Sequence, residues 1–114
     1  MSVRAFRRRD WEKIANQAGF QPRHMASICR ISLRQLERDF EQELGKTPIE
    51  WSRELRCRLA VKLIAEGYTN KAVVTELKFA SPSHLCHEFK KVYGDSPRRV
   101  AERLISQKNV AFGQ

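Results

Sequence analysis

The sequence predicts an all-α protein of about seven helices, and three observations carry that expectation. Apolar residues recur at spacings of three and four, and no useful stretch alternates as a strand would. The 5 Gly and 4 Pro fall at the borders of the periodic segments rather than inside them. The chain also repeats itself at 49 residues without a gap, Ser32 falling on Ser81, Leu36 on Leu85, Phe40 on Phe89, Gly45 on Gly94 and Pro48 on Pro97.

Each element has its own signals. Asp10 caps a first helix over 11–18 that Gly19 stops. Pro22 starts a short second helix through Ile28. Ser32 caps a third, with Gln35 at its third position and Leu33, Leu36, Phe40 and Leu44 on one face, ending at Gly45. Pro48 opens a long helix through Trp51, Leu55, Leu59 and Leu63, closed by Gly67. Thr69 or Asn70 caps another short helix through Leu77. Ser81 caps the next, which carries Leu85, Phe89 and Tyr93 and stops at Gly94, and Pro97 starts a last helix to about residue 107.

Each copy of the repeat is a short helix, a tight turn and an amphipathic second helix, which is a helix-turn-helix. Apolar matches at Met25/Val74 and Ile28/Leu77 predict that the short helix buries these residues against the second helix, whose opposite face is then held toward solvent. Two copies are too few for a solenoid, which needs about three to bury a continuous core. Two small units on one long helix instead suit two readers of one extended ligand. The expected organisation is a basic arm over 1–9, a first unit over 10–47, a linker helix over 48–67, a second unit over 68–107 and a tail over 108–114.

The charge agrees with an extended anionic partner. The 114 residues carry 22 Lys and Arg against 13 Asp and Glu, a formal net charge of +9. Residues 1–57 hold 12 basic and 8 acidic side chains and residues 58–114 hold 10 and 5, so the excess is spread over both halves. Arg4 with Arg7-Arg8-Arg9 forms the dense cluster, readable as a solvated terminus or as a phosphate-contacting arm. With 41% apolar residues the chain can form a core, and its apolar runs are too short for a membrane span or a signal peptide. Cys29, Cys57 and Cys86 are odd in number and lack C-x-x-C spacing, which fits a reducing cytoplasm and no disulfide framework. His84-Leu85-Cys86-His87 has the residue types of a metal site but not a ligand set that one helix face could present, so neither metal nor cofactor is expected.

With Leu36, Phe40 and Leu44 inward, Arg34, Gln35, Arg38, Glu41 and Gln42 turn outward, and the matching positions of the second copy are Ser83, His84, His87, Lys90 and Lys91. A recognition helix enters the major groove N-terminus first, so its early outward residues meet base edges. Arg pairs with guanine O6 and N7 and Gln with adenine N6 and N7, which makes Arg34, Gln35 and Arg38 apt base readers. Ser83, His84 and His87 are the candidate readers of the second unit. Ser32, Gln42, Lys46, Thr47, Ser81, Lys90, Lys91 and Ser96 are candidate phosphate contacts, several of them at helix N-termini. The first unit is expected to discriminate sequence more and the second to anchor more.

This pattern resembles the DNA-binding domain of the AraC/XylS family of bacterial transcription regulators. The resemblance runs from about Asp10 to Arg103. It rests on Ser32-x3-Leu36-x3-Phe40-x4-Gly45-x2-Pro48, on Arg56-x3-Ala60-x2-Leu63-Ile64, and on Phe79-x3-Ser83-His84-Leu85-x3-Phe89-Lys90-Lys91-x2-Gly94-x2-Pro97. It implies two helix-turn-helix units reading successive major-groove segments of double-stranded DNA, and contact with RNA polymerase that raises transcription. Two positions depart from the family. Lys78 stands where Gly is usual, a cost of roughly 1 kcal/mol if φ is positive there, and His87 stands where many members carry Arg. Most members add an effector-binding domain, for which these 114 residues leave no room; a short stand-alone regulator is expected slightly ahead of a separated C-terminal domain.

Two other classes remain. A nucleoid-like or RNA-binding module would use the charge without reading sequence, although the repeat aromatics Phe40, Trp51, Phe89 and Tyr93 fall on inward faces rather than outward as RNA stacking requires. A protein-interaction adaptor would not need Arg38. An enzyme is not expected, since no paired carboxylates, nucleophile constellation or phosphate loop stands in a plausible setting.

Overall fold

The computed structural model describes residues 3–111, which form eight helices and no strand among the described residues. They are α1 (Val3–Arg8), α2 (Trp11–Gln17), α3 (Pro22–Ile28), α4 (Leu33–Leu44), α5 (Pro48–Ala65), α6 (Asn70–Leu77), α7 (Pro82–Tyr93) and α8 (Pro97–Ala111). The chain divides into two compact units, residues up to Leu55 and residues from Arg56. The division falls inside α5, so the linker helix is shared between the units rather than standing outside them.

In the first unit, α3 and α4 are the helix-turn-helix pair. Ser32 caps α4 by accepting the Gln35 N–H at 3.0 Å, and Gly45 ends it in the left-handed conformation at φ 68°. The core is aromatic: the Phe40 ring is fully buried with centroids of Phe6, Trp11 and Trp51 at 5.2, 4.8 and 5.5 Å, in edge-to-face arrangements. Met25 on α3 is also fully buried, and its sulfur accepts a hydrogen bond from the Ser52 hydroxyl at 3.3 Å.

The N-terminal segment differs from the expected basic arm. Residues 3–8 are helical, Phe6 is buried, and the Trp11 indole N–H donates to the Phe6 carbonyl at 2.9 Å. A single aromatic among four arginines carries no periodicity, so α1 has no helical signal in its residues. Arg7 and Arg8 are exposed; the side chain of Arg4 lies outside the described residues. At the other end, α8 continues to Ala111 through part of the expected tail, and residues 112–114 lie outside the described residues.

The second unit is built from the later part of α5 with α6, α7 and α8. Thr69 caps α6 through the Ala72 N–H, Ser81 caps α7 through the His84 N–H, and Gly94 closes α7 at φ 77°. Cys57, Ala60, Val73, Leu85 and Phe89 are fully buried. α5 has no single apolar stripe: Ser52 and Leu55 are buried in the first unit, Arg56, Cys57 and Ala60 in the second. Of the four apolar residues spaced along it, Leu55 is buried, while Trp51, Leu59 and Leu63 are half-buried.

The repeat is not uniform. Phe20 N–H bonds to Ala15 O and Tyr68 N–H to Leu63 O; Ile31 N–H bonds to Ala26 O and Phe79 N–H to Val74 O. These pairs are 48 residues apart, whereas Gly45 N–H to Glu41 O and Gly94 N–H to Lys90 O are 49 apart. The second turn is therefore one residue longer, and Ala80 is the insertion. The slip changes the expected core. Met25 pairs with Val73 and Cys29 with Leu77, all buried, while Val74 is half-buried and Ile28 is 42% exposed. Leu44 is likewise 42% exposed, lying past the end of the face that Leu36 and Phe40 bury.

Candidate nucleic-acid interface

On α4, Arg34 and Arg38 are exposed one turn apart on the face opposite Leu36 and Phe40, with Glu37, Glu41 and Gln42 exposed around them. Gln35 is half-buried, and its side-chain amide donates to Asp39 Oδ1 at 2.8 Å. Asp39 is 3% exposed, so the carboxylate holds Gln35 in one orientation from beneath. One amide hydrogen of Gln35 is used in this way, which leaves Oε1 and the second hydrogen able to meet a base edge.

The helix N-termini expected to meet phosphate differ in charge. At the start of α5, Lys46 Nζ lies 2.8 Å from Glu54 Oε2. The Thr47 hydroxyl donates to Glu50 Oε1 at 2.9 Å and accepts the Glu50 N–H at 3.2 Å. Both candidates thus have carboxylate partners, and Glu50 sits in the first turn, where an approaching phosphate would feel repulsion. At the start of α8, Ser96 accepts the Arg99 N–H, and Asp95 is neutralised by Arg103 at 2.9 Å. Arg98 and Arg99 flank this end with side chains 86% and 76% exposed. Sequence reasoning missed these two arginines, although their place directly after Pro97 is the signal that could have found them.

On α7, Ser83, His87, Lys90 and Lys91 are exposed, as expected of an outward face. Pro82, Ser83, Cys86, His87 and Lys90 line a shallow depression along it. His84 is different. Its Nδ1 accepts the Ala80 N–H at 3.1 Å, its Nε2 lies 3.3 Å from Glu88 Oε1, and its ring meets Phe79 edge-on at 5.6 Å. Both ring nitrogens face partners within the unit.

Glu88 is 7% exposed and Arg56, also 7% exposed, brings Nη2 within 3.9 Å of it. Arg56 Nη1 donates to the Lys78 carbonyl at 3.2 Å, and the guanidinium lies over the Phe79 ring at 4.3 Å. Lys78 has φ 59°, the left-handed conformation that its departure from glycine put in question. Gln35/Asp39 and His84/Glu88 are equivalent pairs 49 residues apart, each with a buried acid on the recognition helix. Asp39 and Glu88 were not foreseen, because an acid four residues along a helix reads as a surface pair. Burial also pushes the Cys29 thiol above its ordinary value, partly offset by the nearby positive charge of Arg9.

Two short-helix/turn/capped-helix units, each presenting cationic and amide or hydroxyl side chains on the second helix, define a double helix-turn-helix module. A helix-turn-helix domain model matches residues 25–103, and the chain belongs to the AraC-type helix-turn-helix family, a class of DNA-binding transcription regulators. The chain is 35% identical over 72 residues to the HTH-type transcriptional regulator RipA of Corynebacterium diphtheriae, an alignment that covers 63% of the chain but 22% of RipA. A DNA-binding transcriptional dual regulator from Escherichia coli K-12 has the same fold, with a TM-score of 0.66 at 23% identity over 80% of this chain and 85% of that one. No helix among the described residues is long and apolar enough to cross a membrane.

Proposed function

We propose that the chain binds double-stranded DNA sequence-specifically, placing α4 and α7 in successive major-groove segments, and that it activates transcription through contact with RNA polymerase. The observation that carries this reading is the N-terminal half of α4. Ser32 caps it, Asp39 orients Gln35, and exposed Arg34 and Arg38 flank the amide. Those are the donor and acceptor geometries that read guanine and adenine edges. The similarity to RipA supports a regulatory role, and the short share of RipA that is matched leaves the activity of a whole regulator as part of the proposal.

Arg34, Gln35 and Arg38 read bases in the first half-site; Ser83 and His87 make the fewer base contacts of the second. Ser32, Gln42, Ser81, Lys90, Lys91 and Ser96 hold phosphates, joined by Arg98 and Arg99. Lys46 and Thr47 contribute less, since each is half-buried and held to a carboxylate at 2.8 and 2.9 Å, whereas Arg98 and Arg99 are exposed and lie 3.3 and 3.9 Å from Glu102 and Asp95. The protein acts in the bacterial cytoplasm, on the nucleoid.

Selection of bound sites from random duplex DNA tests the reading. Two motifs about 10–10.5 bp apart are expected, with the stronger base dependence in the half-site of the first unit. A specificity ratio near one across sites would identify a nonspecific module and refute it. Transcription from a template carrying the selected site tests activation, and repression there would overturn that part alone.

A further inference from the structure

We propose that His84 is a positioning residue of the second unit: it aims α7 by tying down the inserted turn residue Ala80, and it does not read a base. The proposal rests on the two-helix DNA reading above and assigns one outward residue a different role within it.

The first unit has no counterpart of Ala80, since its turn runs directly from Ile31 to the Ser32 cap. An added residue lengthens the turn and adds a peptide group whose direction the helix-turn-helix packing does not by itself fix. In this chain the Ala80 N–H points at His84 Nδ1, 3.1 Å away. Accepting that hydrogen requires Nδ1 to be unprotonated, so the ring proton sits on Nε2, 3.3 Å from Glu88 Oε1. Glu88 in turn faces Arg56, which donates to the Lys78 carbonyl two residues before Ala80 and lies over Phe79 between them. Lys78, Phe79 and Ala80, the whole turn, are thus held by a buried ionic cluster anchored on α5 and α7. Gln35, the equivalent of His84, ties only its own helix through Asp39 and retains polar atoms for DNA. His84 retains none.

The test uses the full chain and duplexes that carry the selected site with single-base changes in either half. In His84→Ala, affinity for the cognate site is expected to fall about fivefold, the worth of one hydrogen-bonded connection. The loss should appear as a shallower response to every base change in the second half-site, with the first half-site unaltered. His84→Asn, whose side-chain oxygen can take the place of Nδ1, is expected to restore most of the affinity. Loss of discrimination at one base pair only, or no loss at all, would overturn the proposal. Amide exchange without DNA provides an independent arm. The Ala80 N–H should exchange faster in His84→Ala and recover in His84→Asn, and unchanged exchange would also overturn the assignment. Nonspecific binding by the unmutated protein would instead remove the DNA reading, which separates the two failures.

Discussion

Arg30 and Lys78 share one left-handed backbone conformation, φ 58° and 59°, at the turn of each unit. Neither residue is suited to it, since a Cβ in that region costs about 1–2 kcal/mol. Lys78→Gly relieves this strain and keeps the carbonyl that Arg56 bonds, while glycine adds freedom to the unfolded chain. The expected net gain is about 0.5 kcal/mol, and Arg30→Gly should act in the same direction. Urea unfolding checks it: the midpoint should rise with the slope unchanged, and a lower midpoint would show that the strain is absent.

Charge and reading should separate in the salt dependence. Arg34→Ala or Arg38→Ala is expected to cost about 1–3 kcal/mol on the selected site and much less on unrelated duplex. Lys90→Ala should weaken both alike and reduce the slope of log K against log salt by about 0.9. Equal behaviour of the arginine and lysine variants would contradict the division into readers and anchors.

The aromatic core makes α1 part of the folded unit. Phe6 packs 4.9 Å from Trp11 and 5.2 Å from Phe40, so Phe6→Ala should destabilise the first unit by about 3 kcal/mol. Thermal unfolding followed by Trp fluorescence measures this. An unchanged transition would return residues 1–9 to the status of a solvated arm.

Arg56 holds a carbonyl, an aromatic face and a carboxylate at once, which an ammonium group cannot do. Arg56→Lys should therefore cost about 1–2 kcal/mol of stability despite keeping the charge. Chemical unfolding of the variant measures the loss; a cost near zero would mean that charge alone suffices there.

The cysteines should differ in reactivity. Cys29 is buried with its thiol pushed above its usual value, first by desolvation, whereas Cys86 is half-exposed on the outer face of α7. Near pH 8 an alkylating reagent should label Cys86 well before Cys29, since the thiolate is the reactive form. Mass spectrometry of the partly labelled protein resolves the order, and faster labelling of Cys29 would contradict its burial.

The caps, the stops and the inward Leu36, Phe40, Leu85 and Phe89 were legible because each rests on local chemistry or on a period of 3.6. What escaped depends on partners distant in sequence. The role of His84 is set by Ala80 and Glu88, and Phe6 is ordered by Phe40. The one-residue slip was invisible because Met25 meets valine in either register and Ile28 meets Leu77 in the ungapped one. Val73 and Val74 adjoin, so only burial distinguishes which of them faces the core. The outward arginines of α4 were readable from the helical wheel; the buried acid that orients Gln35 was not.

The insertion at Ala80 determines how the two halves can be recombined. Segments 32–48 and 81–97 are equal in length and carry the caps, helices and Gly-x-x-Pro stops in register. A join at the serine caps nevertheless parts the insertion from the side chain that holds it, and puts either a spare peptide group beside Gln35 or a shortened loop beside His84. Hybrid proteins with altered DNA preference should therefore be joined upstream of the turn, so that Ala80 travels with His84 and each helix keeps the turn built for it.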